Sequence, residues 1–192
     1  VGVNTGRLGF LSTFKKENVR KLVTEFEAGH YTVEERSLVE VELNSELEEF
    51  NGLNFALNEI TVSRKDTTSM ITVETWLDDE YLTSYWSDGL IVSTPTGSTG
   101  YSLSCGGPVI APSAKSLVLT PIAPHNLNAR PLVISDTTQI RLKVSGREQT
   151  HLVSLDSRIA DISNGKEIRI KKADFTIKMI EYKSESFLKT LR

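Results

Sequence analysis

Much of the chain alternates between apolar and polar residues. Val39, Val41 and Leu43 alternate with glutamates, and residues 71–77 and 140–144 follow the same pattern. A period of two indicates strands that bury one face. About ten such segments, separated by turn residues, predict a mainly β protein in which two sheets pack as a β-sandwich.

One segment has the period of a helix. The apolar residues between positions 19 and 26 fall at i, i+3, i+4 and i+7, which makes a single apolar stripe. Ser12 or Thr13 is expected to cap the start of this helix, and Gly29 its end. The sequence therefore predicts one helix near the N-terminus.

Short polar sequences between the strands predict turns. Asn164-Gly165, followed by the apolar residues Ile168 and Ile170, is typical of a type I′ hairpin. Asp78-Asp79 predicts a second hairpin, and Asp156-Ser157 is a third candidate turn.

The first residues suggest that the chain is a fragment. Val1 to Val3 are typical of the end of a buried strand, and residues 4–9 contain the glycines of a turn. No initiator Met or signal peptide precedes this strand. We therefore expect an N-terminal part to have been removed, and a complete chain with an irregular start is the alternative.

Composition narrows the function classes. The chain has 22 Lys and Arg against 25 Asp and Glu, a net charge of −3, and so lacks the basic surplus of a nucleic-acid binder. No apolar run approaches the roughly 18 residues of a membrane span. A single cysteine, Cys105, excludes an intrachain disulfide, and three separated histidines leave no zinc spacing. These features favour a protein of the reducing cytoplasm.

Residues 88–108 have the composition of a ligand-binding segment. An apolar strand leads into a Gly/Ser/Thr loop and then into a short helix at Tyr101 to Ser104. Such a loop is expected to offer unpaired backbone N–H groups to an anion or a polar heterocycle. The hydroxyls of Thr96, Ser98 and Thr99 would add donors, and Tyr101 a flat face for stacking. A solvated Ser/Thr turn is the alternative that the residues alone leave open.

Two further positions are weaker candidates. Asn58-Glu59 interrupts an apolar strand with an amide beside a carboxylate, a pair that can bind sugar hydroxyls or base edges. The alternative is a polar strand end that faces water. Asp88 precedes Gly89 at the start of a strand, where an aspartate that forms a turn is the simpler explanation.

Several separated blocks together resemble the NAD kinase family, and most of all its bacterial branch. The most specific block is Thr94-Pro95-Thr96-Gly97-Ser98-Thr99. The blocks occur in this order: Asn4 to Leu11, Asn58-Glu59, Asp88 to Ser104, Gly106-Gly107-Pro108, Pro124-His125, and Ala129 to Val133. The resemblance covers essentially the whole chain.

The resemblance implies a fold and a missing part. Members of this family have an N-terminal α/β domain and a C-terminal β-sandwich, with the dinucleotide between them. Residues 1–183 would be the sandwich, and residues 184–192 a tail that packs on the α/β domain. The family's Gly-Gly-Asp-Gly-Thr motif, whose aspartate is the proposed base, does not occur in this chain, so we expect it upstream and expect the chain alone to be inactive.

The resemblance also implies roles for the adenosine side of the site. Asn58 would bind the adenine or the ribose edge, and Glu59 the ribose hydroxyls. Ser98 and Thr99 would hold the adenine. Gly100 stands where the family commonly has alanine.

Four more residues would complete the pocket. Tyr101 would pack against a nucleoside, and Ser104 would line the same pocket. Phe10 would close it from the Leu-Gly-Phe turn. Asp88 would contact the nicotinamide end, in family tetramers from a neighbouring subunit.

The implied activity is transfer of a phosphoryl group from ATP, or from polyphosphate, to the adenosine 2′-hydroxyl of NAD. Mg²⁺ would accompany the donor phosphates. The resemblance further implies a cytoplasmic homo-oligomer, a dimer or tetramer, with no nucleic-acid or membrane partner. The alternatives are a non-catalytic nucleotide-binding sandwich and a related two-domain lipid kinase.

Overall fold

The protein is described by a computed structural model that covers residues 2–5, 14–43, 50, 52–66, 69–182 and 187–191. Two six-stranded antiparallel sheets account for most of it. The strands are β1 (Val3–Asn4), β2 (Phe14–Lys15), β3 (Tyr31–Leu43), β4 (Phe55–Ala56), β5 (Glu59–Ser63), β6 (Ile71–Leu77), β7 (Glu80–Ser87), β8 (Gly89–Ser93), β9 (Ser116–Ile122), β10 (Leu132–Ser135), β11 (Ile140–Ser145), β12 (Thr150–Leu155), β13 (Arg158–Ser163) and β14 (Glu167–Tyr182).

The two sheets enclose one hydrophobic core. The first sheet has the order β10-β9-β8-β5-β12-β13, and the second has the order β4-β3-β14-β11-β6-β7. Alternate residues of both sheets are buried together, among them Ile60 and Leu90 from the first sheet and Leu142 and Ile168 from the second. The predicted two-sheet sandwich is therefore confirmed, because the period-two pattern turns one face of each sheet inward.

The helix near the N-terminus is confirmed, but its predicted cap is wrong. Helix α1 spans Val19–Glu27 and follows a 3-10 turn over Lys16–Asn18, so Asn18 occupies the capping position and makes no side-chain cap hydrogen bond. Ser12 and Thr13 lie outside the described residues. Gly29 closes the helix as predicted, with φ +68° and its N–H on the Phe26 carbonyl.

Two further short α-helices and a second 3-10 turn, over Gly97–Thr99, are described. Helix α2 spans Tyr101–Ser104, as the sequence predicted, and α3 spans Phe187–Leu191. None of the described helices is long and apolar enough to cross a membrane.

The three candidate turns have different outcomes. Asp78 and Asp79, with φ +48° and +66°, join β6 to β7 as a hairpin, and Asp156, with φ +52°, joins β12 to β13. The prediction of a hairpin at Asn164-Gly165 is wrong. The strand before this turn belongs to the first sheet and the strand after it to the second, and only Gly165 has a positive φ. The chain crosses between sheets at this turn.

The start of the chain is a pair of short strands. Strand β1 pairs in parallel with β2, so a strand at the start is confirmed. Its predicted burial is wrong for Val3, which is 37% exposed. The turn expected after it falls largely outside the described residues.

Candidate functional site

The outer face of the first sheet is covered by the segment of residues 94–110. Leu90 and Val92 face the core, so Ser93 faces the other way, as does Thr61 on the neighbouring strand. Both hydroxyl residues are nevertheless buried. The cover is joined to the sheet at α2, where the hydroxyls of Ser102 and Thr120 form a hydrogen bond of 2.8 Å.

The first half of this cover is a loop that satisfies its own hydrogen bonds. The Thr94 hydroxyl donates to the Leu57 carbonyl (2.6 Å) and accepts the N–H of Gly97 (3.1 Å). The Ser98 N–H donates to the Thr94 carbonyl, and the Gly100 N–H to the Gly97 carbonyl. The prediction of an open row of N–H groups is therefore wrong for these three glycine and serine positions, because the loop uses them internally.

The loop hydroxyls are also partly engaged. The buried Ser98 hydroxyl donates to the Pro95 carbonyl (2.7 Å) and accepts the N–H of Ile110 (3.0 Å). The half-buried Thr99 hydroxyl donates to the Thr96 carbonyl at 3.3 Å. These bonds fix the shape of the loop, and Ser98 in particular serves as an internal link.

Two glycines bring the loop against residues 58 and 59. A Cβ at Gly97 would overlap the Asn58 carbonyl and lie 2.7 Å from the Asn58 Cα. Only glycine permits this approach of two backbones. A Cβ at Gly100 would lie 3.2 Å from the Gly97 carbonyl and 3.5 Å from Glu59 Oε2. Gly100 therefore forms part of the wall around the Glu59 carboxyl.

The Asn58-Glu59 pair is held from its other side by Asp156. The Asp156 carboxylate accepts the N–H groups of Leu57 (2.9 Å), Asn58 (2.8 Å) and Glu59 (3.2 Å). The Asp156 N–H donates in return to the Glu59 carbonyl (3.1 Å). Sequence reasoning treated Asp156 only as a turn residue and assigned it no part in the site.

The Glu59 carboxyl lies in a partly desolvated position. Its Oε2 atom is buried and has no hydrogen-bond partner among the described residues. Burial, and secondarily the negative charge of Asp156, raises the pKa of Glu59 to about 7. An unpartnered carboxyl oxygen at this place can accept a hydrogen bond from a ligand hydroxyl when it is ionised, and can donate one to that hydroxyl when it is protonated.

The pKa of Tyr101 relates this residue to the carboxylates of Asp88 and Glu59. Its side chain is 46% exposed at the start of α2. Burial of its hydroxyl raises the pKa of Tyr101, as do its hydrogen bond with Cys105 and the nearby Asp88 and Glu59 carboxylates. Asp88 also forms an ion pair with Arg64 at 2.9 Å. Tyr101 therefore lies within electrostatic range of both carboxylates.

The structure brings most of the predicted site residues together. Asn58, Glu59, Ser98, Thr99 and Gly100 meet where the loop contacts the start of β5, Tyr101 begins the helix that follows, and Ser104 is exposed at the end of that helix, three residues on. Phe10 lies outside the described residues. Within those residues no group of three His, Cys, Asp or Glu side chains could hold a metal ion, so they do not fit a metal site built by the protein alone.

Comparison with known sequences shows which protein family the chain resembles. Residues 57–182 match the family model for the ATP-NAD kinase C-terminal domain. The chain is 62% identical, over all 192 residues, to the NAD kinase of Flavobacterium psychrophilum, and 46% identical over 194 aligned residues to that of Porphyromonas gingivalis. It spans 65% of the length of each of these relatives.

Solved structures agree with the sequence relatives. A yeast NADH kinase complexed with NADH superposes with a TM-score of 0.86 at 27% identity, over 98% of this chain and 56% of that one. An NAD kinase from Archaeoglobus fulgidus in complex with ATP superposes with a TM-score of 0.79 at 30% identity, over 95% of this chain and 68% of that one. The chain belongs to the ATP-NAD kinase C-terminal domain family.

Proposed function

We propose that the chain is the dinucleotide-binding domain of an NAD kinase. The complete protein would transfer a phosphoryl group from ATP, or from polyphosphate, to the 2′-hydroxyl of the adenosine ribose of NAD. The observation that carries this proposal is the contact between the loop and residues 58–59, which places an unpartnered carboxyl oxygen of Glu59 beside Gly100. Family membership and the relatives named NAD kinase support it.

In this proposal the chain binds and orients the adenosine. Asn58 contacts the adenine or ribose edge, and Glu59 binds the ribose hydroxyls through its carboxyl group. Because the Ser98 hydroxyl is already engaged within the loop, Ser98 acts by shaping the adenine pocket, next to Thr99. Tyr101 presents an exposed ring for stacking on a nucleoside.

The remaining proposed contacts lie at the edge of this pocket. Ser104 lines it from the exposed end of α2. Asp88 contacts the nicotinamide end and shares its charge with Arg64, its ion-pair partner. Phe10 closes the pocket from the N-terminal segment.

Orientation is a large part of phosphoryl-transfer catalysis, because the reaction needs the attacking and leaving oxygens roughly in line. A chain that fixes the adenosine ribose therefore contributes directly to rate. We propose that the catalytic base lies in a Gly-Gly-Asp motif elsewhere in the complete protein. We also propose that Mg²⁺ arrives with the donor phosphates, since the described residues do not fit a metal site of their own.

The proposal also covers the assembly of the protein and its location in the cell. Val23 and Phe26 of α1 and Leu188 of α3 are exposed apolar residues, which supports burial against an α/β domain or a second copy in a cytoplasmic homo-oligomer. Residues 184–192 would then pack as a tail on the α/β domain.

Calorimetry tests the proposed ligand. Titration of the 192-residue chain with NAD and NADP, with a phospholipid headgroup and a glycan panel as comparisons, should give binding to the dinucleotides only. Tyr101→Phe should keep most of the affinity, and Tyr101→Ala should lose about fivefold, since aromatic stacking contributes about 1 kcal/mol. Equal losses in both variants would contradict stacking. Dinucleotide binding without NADP formation by the complete protein would favour the non-catalytic alternative, and headgroup binding the lipid kinase.

A further inference from the structure

The segment of residues 57–59 crosses from one sheet to the other. Strand β4 (Phe55–Ala56) belongs to the second sheet, and β5 (Glu59–Ser63) belongs to the first. Where a chain leaves one ladder and enters another, its backbone groups need partners from elsewhere. The two residues of the site that contact the loop therefore lie on a backbone that its own sheets do not fully support.

Asp156 supplies the missing acceptors on one side of this crossing. Its carboxylate accepts the N–H groups of three consecutive residues, Leu57, Asn58 and Glu59, at 2.8 to 3.2 Å. These residues are nearly 100 positions away from Asp156 in the sequence. Hydrogen bonds to an ionised acceptor are stronger than those between neutral groups. Thr94 holds the carbonyl side, because its N–H donates to the Asn58 carbonyl (2.9 Å) and its hydroxyl to the Leu57 carbonyl (2.6 Å).

We propose that Asp156 is a positioning residue of the dinucleotide site, whose carboxylate fixes the backbone of residues 57–59 and so sets where Asn58 and Glu59 meet the adenosine. This inference rests on the proposed function. Asp156 acts through the three residues whose N–H groups it accepts, two of which are Asn58 and Glu59.

Another aspartate in the chain provides a matched control. Asp78 also forms a hairpin turn with a positive φ (+48°), and its Oδ1 accepts the N–H of Gln139 at 2.9 Å. It therefore combines the same turn conformation with the same kind of hydrogen bond, but in the second sheet and away from the loop. A substitution at Asp78 reproduces the loss of a turn aspartate without disturbing residues 57–59.

The experiment compares Asp156→Gly, Asp156→Asn and Asp78→Gly in the complete protein. Glycine and asparagine both tolerate a positive φ, so the turn at Asp156 survives in each variant. Asparagine keeps one acceptor oxygen but turns an NH₂ group toward an N–H, so it should rescue only part of the function. The measurements are kcat and KM for NAD, Kd for NADP, the melting temperature, and amide hydrogen exchange at residues 57–59.

We expect Asp156→Gly to raise KM for NAD and Kd for NADP about 30-fold and to speed exchange at residues 57–59, with a smaller fall in kcat. Asp156→Asn should raise both constants about fivefold. Asp78→Gly should lower the melting temperature while leaving both constants within about twofold of wild type.

Normal binding by both Asp156 variants, or unchanged exchange at residues 57–59, would overturn the positioning role and leave the proposed function intact. A larger effect of Asp156→Asn than of Asp156→Gly would also overturn it. A wild-type protein that binds neither NAD nor NADP would overturn the proposed function, and this inference with it. If Asp156→Gly does not fold, the comparison of Asp156→Asn with Asp78→Gly decides.

Discussion

The outer faces of the two sheets differ in what covers them. On the first sheet, Ser93, Thr61 and Thr120 are short polar residues and are buried, and Thr120 is hydrogen-bonded to Ser102 of the segment of residues 94–110. On the second sheet, the outward positions carry long charged side chains in a ladder of ion pairs: Lys171 with Glu40 and Glu42, and Arg169 with Glu167. The central strands β8 and β9 of the first sheet are therefore buried on both faces, whereas β6 and β11 of the second sheet alternate between buried and more exposed positions. We call the outer face of the first sheet the closed face and that of the second sheet the open face.

The two faces should differ in how much a substitution changes the free energy of unfolding. Polar groups shielded from water gain more from a well-placed partner and lose more without one. Charges on an open face remain solvated, and each ion pair contributes little. The two contacts that build the site, of Gly97 with the Asn58 backbone and of Gly100 with the Glu59 carboxyl, belong to the closed face. Substitutions there should change stability and binding strongly, while those on the open face should change little.

Gly97→Ala should have the largest effect. The added methyl group would overlap the Asn58 carbonyl and come within 2.7 Å of its Cα, and these are backbone atoms that cannot rotate away. We expect a loss of about 3 kcal/mol in the free energy of unfolding, measured by urea titration, together with loss of NADP binding.

Gly100→Ala is the matched control for this change. It adds the same methyl group three residues further along the loop, where the nearest atom would lie 3.2 Å away. We expect a change below about 1 kcal/mol. If both variants unfolded at the same urea concentration as wild type, the loop would not rest on Asn58 as described.

The alternation of residues was enough to predict the sandwich, but not the connections between its sheets. Asn164-Gly165 has the local chemistry of a hairpin, yet turn chemistry does not specify which sheet the next strand joins. The role of Asp156 had no local indication either, because its three acceptor bonds reach residues nearly 100 positions away. A turn could be predicted at both places, while its type at Asn164-Gly165 and the partners of both turns depend on tertiary structure.

The loop illustrates a second limit. Its glycines and hydroxyls predicted a ligand site at this loop, and the resemblance grouped Asn58 and Glu59 with it. The hydroxyls of Thr94 and Ser98 could equally face a ligand or the loop itself, and the structure directs both to backbone groups of the protein. Composition indicates which groups are present, and only packing decides which remain free.

Glu59→Gln should have an intermediate effect that depends on pH. The pKa of Glu59 is raised from 4.5 to about 7, so between these values the folded state binds more protons than the unfolded state, and stability falls as pH rises. The glutamine variant avoids this loss. At pH 8 it should be more stable than wild type by about 1 kcal/mol, a value reduced for the partial exposure of the carboxyl. The difference should vanish near pH 4.5. A difference that stays constant across this range, in urea titrations at each pH, would contradict the raised pKa.

Arg169→Gln on the open face should have the smallest effect. Its guanidinium lies 2.7 Å from Glu167 Oε1, and the two side chains are 52% and 32% exposed. Because water and salt screen such a pair, a double-mutant cycle with Glu167→Gln should give a coupling energy below about 0.5 kcal/mol. Raising the salt concentration to about 0.5 M should reduce the coupling further. A coupling above about 1 kcal/mol that persists at high salt would mean that the second sheet is also covered in solution, and the contrast between the two faces would no longer hold.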